Sequence, residues 1–258
     1  MRELWEVWRH TRGVVLVAVL AALYAAVQIP FKALPIIPGS TALRPAAALP
    51  VVFSFLFEPC AAWGCALGNL IADLFGTFGP GTLFGLAGNF LYGLIPWKLY
   101  RAWSTAGSSW RGVVPRPGFI LAVLPACASC AVVIGWGLHL LRFVPFPFFT
   151  NVVLINNVLF ALTLAPPLLS ALAPRLAGWG IGGAAPWMSA ARPPRWRAWA
   201  GTLLVVIGSV GGWVLGNALA LGAERLPMLA MAPVAEGSGI PSALAPFVLC
   251  VIAGALIL

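Results

Sequence analysis

Apolar residues fall along this chain in long blocks, separated by short basic or turn-forming segments such as "HTRG", "WKLYRAW" and "RPPRWRAW". A helix that crosses the hydrocarbon of a bilayer needs about 20 apolar residues, and fewer where neighbouring helices surround it. The pattern predicts eight membrane helices, over about residues 13–31, 45–57, 60–76, 82–99, 118–141, 148–172, 199–221 and 242–258. The second is short and follows the turn-rich "LPIIPGSTALRP", which reads as a tilted or re-entrant entry. The basic stretch from Arg175 to Arg197, rich in Gly, Pro and Trp, is the one plausible boundary. It divides a six-helix membrane domain (1–175) and a basic cytoplasmic linker (176–198) from a C-terminal transmembrane hairpin (199–258). The first apolar block has no small-residue cleavage site after it and is expected to be a retained helix, not a signal peptide.

Alternating the sides of the membrane fixes an orientation. With the N-terminus inside, eleven of the basic residues are cytoplasmic, and only Lys32, Arg44, Arg142 and Arg225 lie outside. Lys and Arg accumulate on the cytoplasmic side, so the N-terminus is expected there. Eight crossings return the C-terminus to the same side.

This orientation gives each intramembrane polar group a depth. Asp73 falls near the outer end of the third helix, with Asn69 one turn deeper on the same face. Gln28 and Lys32 end the first helix. Asn89 lies in the fourth, Trp136, His139 and Arg142 end the fifth, and Thr150, Asn151, Asn156 and Asn157 begin the sixth. The polar residues thus gather in the outer half, and the inner half is nearly bare apart from Glu58. Polar groups within a membrane turn toward the bundle interior or a wet cavity. The pattern predicts a solute pocket open to the outside, and the surplus of Lys32, Arg44 and Arg142 over Asp73 favours an anionic or polar heterocyclic solute. Taken singly, each amide also fits plain interhelical bonding at about 0.6 kcal/mol. Asp73 also fits a pairing with Lys32 or Arg44.

Composition places the chain firmly in the membrane. Charged residues make up 8% and hydrophobic ones 61%, whereas a soluble domain carries about a quarter charged residues. The net charge of +9 is topological, and no nucleic-acid-binding motif accompanies it. The five cysteines all lie in or beside apolar blocks and read as small apolar side chains. There is no phosphate-binding G-x-x-x-x-G-K-[ST], H-E-x-x-H or G-x-S-x-G, and the two histidines fall on opposite sides of the membrane. No enzyme, metal site or cofactor is expected. Ala18, Ala22 and Ala26 form a smooth stripe on the first helix, with Ala21 and Ala25 beside it. Such a stripe suits close approach of another helix, in this chain or in a partner.

The first 175 or so residues resemble the substrate-binding S components of energy-coupling factor (ECF) transporters. The resemblance rests on six spans, the Ala18/Ala22/Ala26 stripe, the loop "IPFKALPIIPGSTALRPAAALP" and the segment "LFEPCAAWGCALGNLIADLFG". That segment looks like the family's F-G-P … G … G-N … D pattern, with Glu58 in place of the usual small residue before Pro59. The resemblance implies a substrate-specific subunit that binds a vitamin or related micronutrient on the extracellular side of a prokaryotic plasma membrane. It implies Lys32, Arg44, Asn69, Asp73, Asn89, Asn151 and Asn156 as solute contacts. Ala18, Ala22 and Ala26 would dock on a transmembrane coupling subunit served by two ATPase subunits. The hairpin lies outside the usual six-helix unit. A stand-alone transporter or channel, or a non-catalytic membrane scaffold, remain the alternatives on sequence.

Overall fold

In the computed structural model, residues 2–32, 35–37, 41–103, 117–179, 193–220 and 239–258 are described. The side chains of Lys32 and Arg225, and most of the expected linker, lie outside the described residues. A short helix α1 (Arg2–Glu6) and a 3-10 turn lead into α2 (Thr11–Lys32). A two-stranded ribbon pairs β1 (Pro35–Ile37) with β2 (Thr41–Ala42). A 3-10 turn (Pro45–Ala48) then runs into α3 (Leu49–Phe57), followed by α4 (Pro59–Asp73), α5 (Thr82–Trp103) and α6 (Pro117–Leu140). The sixth expected span is two helices, α7 (Phe146–Thr163) and α8 (Ala165–Gly178), broken ahead of the Pro166-Pro167 pair. The seventh is α9 (Arg195–Val206) and α10 (Gly212–Ala220), joined by a π-helical turn over Ile207–Gly211, and α11 (Gly239–Ile257) is the eighth.

The chain is a helical multi-pass membrane protein. Among the described residues, five segments are long and apolar enough to cross a bilayer: Thr11–Phe31, Pro117–Leu140, Phe146–Thr163, Arg195–Ala220 and Ile240–Ile257. The other three expected spans, α3, α4 and α5, are shorter or more polar. They are well enclosed, as α6 is: Val51 to Phe57 and Leu91 to Leu99 are buried throughout. A helix covered by protein has no need of a lipid-matched surface, so its amides and glycines are tolerated. The lipid-compatible surface comes from residues such as Val15, Leu121, Ile155 and Leu249, which are exposed.

Close approaches fix the relative directions. Gly64 lies against Leu20, and Gly68 against Ala21 and Tyr24, so α2 and α4 run parallel. Gly85 faces Asn69 while Gly93 faces Ala61, so α5 returns antiparallel to α4. Gly88 meets Ile134, and Gly135 meets Thr150, which sets α6 against α5 and α7 against α6. Asp73 and the chain reversals after α4 and α6 therefore share one end of the bundle, and Glu58, Lys98 and Arg101 share the other. Beside Pro96, which lies inside α5, the Trp97 N–H donates to Ser54 Oγ at 3.1 Å, which satisfies a buried backbone donor across two helices.

The hairpin is antiparallel, with Gly201 against Gly254 and Gly208 against Phe247 and Val251. It packs on α5, α6 and α7. Gly212 and Gly216 complete its stripe against Val132 and Phe146. On α2 the two alanine rows separate: Ala21 and Ala25 are buried, while Ala18, Ala22 and Ala26 are exposed.

Candidate functional site

Asp73 closes α4, and its carboxylate sets the order of its neighbours. Asn69, one turn earlier, donates from Nδ2 to Asp73 Oδ2 at 3.0 Å, and Thr77 Oγ1 donates to Oδ1 at 3.0 Å. An ionised carboxylate only accepts, so the Asn69 amide presents its oxygen outward. That oxygen accepts from Gln28 Nε2 on α2 at 3.3 Å. α5 passes directly beside the pair: a Cβ at Gly85 would stand 2.8 Å from Asn69 Nδ2. One turn further, Asn89 donates to Gly85 O at 2.9 Å and accepts from the Tyr24 hydroxyl at 2.8 Å. Gln28, Asn69, Asp73, Asn89 and Tyr24 are all buried. Two sets of hydrogen bonds thereby stand side by side: Gln28–Asn69–Asp73 joins α2 to α4, and Tyr24–Asn89 joins α2 to α5.

A second group continues from α5 to α7. The Tyr92 hydroxyl donates to Asn157 O at 3.3 Å and accepts from the Cys127 thiol at 3.4 Å. Asn156 grips the backbone of Arg44, accepting from its N–H at 3.1 Å and approaching its carbonyl at 3.5 Å. This seats the chain entering the 3-10 turn (Pro45–Ala48) against α7.

Of the residues expected from sequence, Asn69, Asp73 and Asn89 come together around Gly85, and Arg44 and Asn156 meet each other. Asn151 goes elsewhere. It donates to Asn217 Oδ1 and accepts from Trp213 Nε1, both at 2.6 Å, and so ties α7 to the hairpin. His139 Nδ1 accepts from the Phe146 N–H at 3.3 Å across the turn between α6 and α7. Tyr24, Gln28, Tyr92, Thr150 and Asn157 were not among the expected contacts. A signal for the first two exists: Val17, Leu20, Ala21, Tyr24 and Gln28 lie on one helical face, opposite Ala18, Ala22 and Ala26.

The far end is different in kind. Glu58, in the turn between α3 and α4, holds φ 48° and ψ −121°, a backbone region that favours glycine. Burial pushes its carboxyl up to about 7, with Arg101 opposing the rise and Glu3 adding to it. Arg101 lies 3.8 Å from Glu3, and Trp63 Nε1 donates to Leu4 O at 2.9 Å, which holds α1 under the bundle. Among the described residues, no three His, Cys, Asp or Glu side chains converge as a metal ion would require.

A multi-pass helical bundle with its hydrogen-bonding side chains drawn together at one end is the architecture of a membrane transport component. The QueT transporter family model matches residues 14–174. The chain belongs to the QueT transporter family, S components of ECF transporters associated with a queuosine precursor. The resemblance drawn from the helix 1 stripe and the "GN … D" segment is thus upheld. Comparison with curated proteins and with solved structures returns no match.

Proposed function

We propose that the chain is the substrate-specific subunit of an ECF-type importer and that its solute is a queuosine precursor, a micronutrient taken up at the cost of ATP hydrolysed by partner subunits. In this reading the N-terminus is cytoplasmic and the Asp73 end faces the exterior of a prokaryotic plasma membrane. Arg44, Asn69, Asp73, Asn89 and Asn156 contact or position the solute, with Lys32 a further contact, while Asn151 serves the hairpin instead. The exposed row Ala18, Ala22 and Ala26 docks on the transmembrane coupling subunit, whose two ATPase subunits drive release. The hairpin 199–258 supports this docking by its placement: it packs on α5, α6 and α7, away from that row. The six helices of 1–175 bind the solute, and the basic linker 176–198 stays cytoplasmic.

The observation that carries the reading is the buried relay from Asp73 through Asn69 to Gln28, with the Tyr24–Asn89 bond beside it, in a chain of this family. The test is uptake of labelled queuosine precursor by cells unable to make it. Uptake is expected to need this chain together with the coupling module, and to be lost on Asn69→Ala or Asp73→Ala with membrane insertion intact. Transport by vesicles holding this protein alone would establish a stand-alone carrier instead. Unaltered uptake by both alanine variants would leave only a scaffold.

A further inference from the structure

Tryptophan is divided unevenly between the two ends of the bundle. Among the described residues, the exposed tryptophans (Trp5, Trp8, Trp103, Trp179, Trp196 and Trp199) all lie at the Glu58 end. At the Asp73 end, Trp136 and Trp213 are half-buried and donate their N–H groups within the protein, to Pro241 O and Asn151 Oδ1. The large aromatic rings exposed at that end are phenylalanines, among them Phe75, Phe78 and Phe143. Membrane proteins carry tryptophan at both interfaces, because the indole joins an apolar ring to an N–H that meets the headgroup layer. Phenylalanine has no such polar handle. One end of this bundle is therefore suited to headgroups and the other is not.

The pattern is densest where α9 meets the end of α5. Trp103 Nε1 donates to Thr202 Oγ1 at 2.8 Å, and the Trp103 and Trp199 ring centroids lie 4.4 Å apart in an edge-to-face arrangement. Arg195 stands one turn before Trp199 on the same face of α9. The Arg197 guanidinium lies 5.8 Å from the Trp196 ring centroid. Both arginines are exposed, and neither pairs with a carboxylate among the described residues. The ion pairs Arg2–Glu6 and Arg101–Glu3 at this end both use carboxylates of α1. From Trp199 an apolar row continues along α9 and α10 at steps of three or four residues, through Leu203, Ile207, Val210 and Val214, all exposed.

We propose that the junction of α5 and α9 binds an acidic phospholipid. Its phosphate lies between Arg195 and Arg197, its glycerol backbone against Trp103 and Trp199, and an acyl chain along the row from Leu203 to Val214. Charge, interfacial aromatic and hydrocarbon follow one another along α9 in the order in which a lipid presents them. A free phosphate or an acidic protein segment would meet the arginines but gain nothing from the row beyond them. Each basic side chain near an anionic headgroup raises affinity about 5-fold, so two unpaired arginines favour an acidic over a zwitterionic lipid by about 30-fold. The assignment is independent of the solute and of its site at the other end.

The experiment is titration of the full-length protein in detergent with phosphatidylglycerol and, separately, with phosphatidylcholine of the same acyl chains, read by native mass spectrometry. Wild type is expected to bind phosphatidylglycerol about 30-fold more tightly. Arg195→Gln combined with Arg197→Gln, both at exposed positions where folding is preserved, should bring phosphatidylglycerol down to the phosphatidylcholine level. Arg9→Gln combined with Arg12→Gln, exposed at the same end but on the chain entering α2, should leave the preference within about 2-fold. Glycerol phosphate, a headgroup without chains, should compete only at about 100-fold higher concentration or more. Equal binding of the two lipids by wild type would overturn the proposal and leave the arginines to an acidic protein partner. A preference that survives the α9 double variant, or that falls equally in the Arg9 and Arg12 variant, would overturn it as well, the latter by showing only diffuse surface charge. Competition by glycerol phosphate at the lipid's own concentration would replace the lipid with free phosphate.

Discussion

The contact of α2 with α4 and the contact of α9 with α11 solve the same problem with different residues left over. Both bring helices together over glycines: a Cβ at Gly68 would stand 2.8 Å from Ala21 O, and one at Gly208 would stand 2.5 Å from Phe247 O. In lipid, where apolar surface gains nothing by leaving its surroundings, close van der Waals packing is what holds helices together. The hairpin stops there, with the Asn151–Asn217–Trp213 cluster as a latch that hydrogen-bonds each of its members. The α2–α4–α5 contact adds Gln28, Asn69, Asp73, Asn89 and Tyr24, and it leaves acceptor capacity unused. Glycine stripes therefore identify neighbours, and the added polar set distinguishes the end of the bundle proposed to hold the solute.

The widest gap between the two regions is expected in solute binding. Asn69→Leu removes the middle of the relay and is expected to weaken binding by about 100-fold, since both Asp73 and Gln28 lose a buried partner. Asn217→Leu in the hairpin should leave affinity within about 2-fold, because it touches none of these groups. Equal losses in a titration of both variants would erase the distinction.

Packing itself comes next. Gly68→Val forces β-carbon and γ-methyls into the backbone of α2 and is expected to destabilise by about 3 kcal/mol, read as a large fall in thermal midpoint. Gly208→Val should cost a similar amount yet act on the hairpin, so that binding by the protein that remains folded is preserved.

Glu58 sharpens the contrast between the two ends of the bundle. Its carboxyl is raised to about 7 in the folded protein from an ordinary 4.5. The folded state therefore binds more protons than the unfolded one between those values. Stability from this group is fully present below about 4.5 and is lost as pH rises through about 7. Glu58→Gly removes both the buried charge and the unfavourable φ. It is expected to raise the thermal midpoint at pH 8, by about 1–2 kcal/mol of stability, and to gain less at pH 5. A gain independent of pH would assign the effect to backbone strain alone.

The smallest intrinsic effect is expected on the exposed face of α2. Ala18→Leu, Ala22→Leu and Ala26→Leu together should change the thermal midpoint and solute affinity of the isolated protein hardly at all, within about 0.5 kcal/mol. Uptake through the coupling module should nonetheless be lost. Full uptake by the triple variant would remove that face from the partner interface.

Reading hydropathy was enough to find all eight apolar segments, and the observed helices begin and end within a few residues of them except at Leu164 and over Ile207–Gly211. The Pro166-Pro167 pair marks the first break in sequence, whereas nothing there distinguishes the π turn. Asn69 and Asp73 were legible because four residues on a helix is one turn, a purely local relation. Asn151 and Asn156 were not separable, since both lie early in one helix and only neighbours five residues apart on different faces decide their partners. Hydropathy and spacing are properties of the chain itself, and they determined membrane residence, helix placement and the end of the bundle at which polar groups concentrate. Which of two alanine rows faces outward, which amide joins the relay and which atoms stay unpaired depend on how helices distant in sequence come to lie within a few ångströms of each other. Only the tertiary structure decided those, because hydrogen bonds are short-ranged and the chain encodes their partners through packing and not through proximity in sequence.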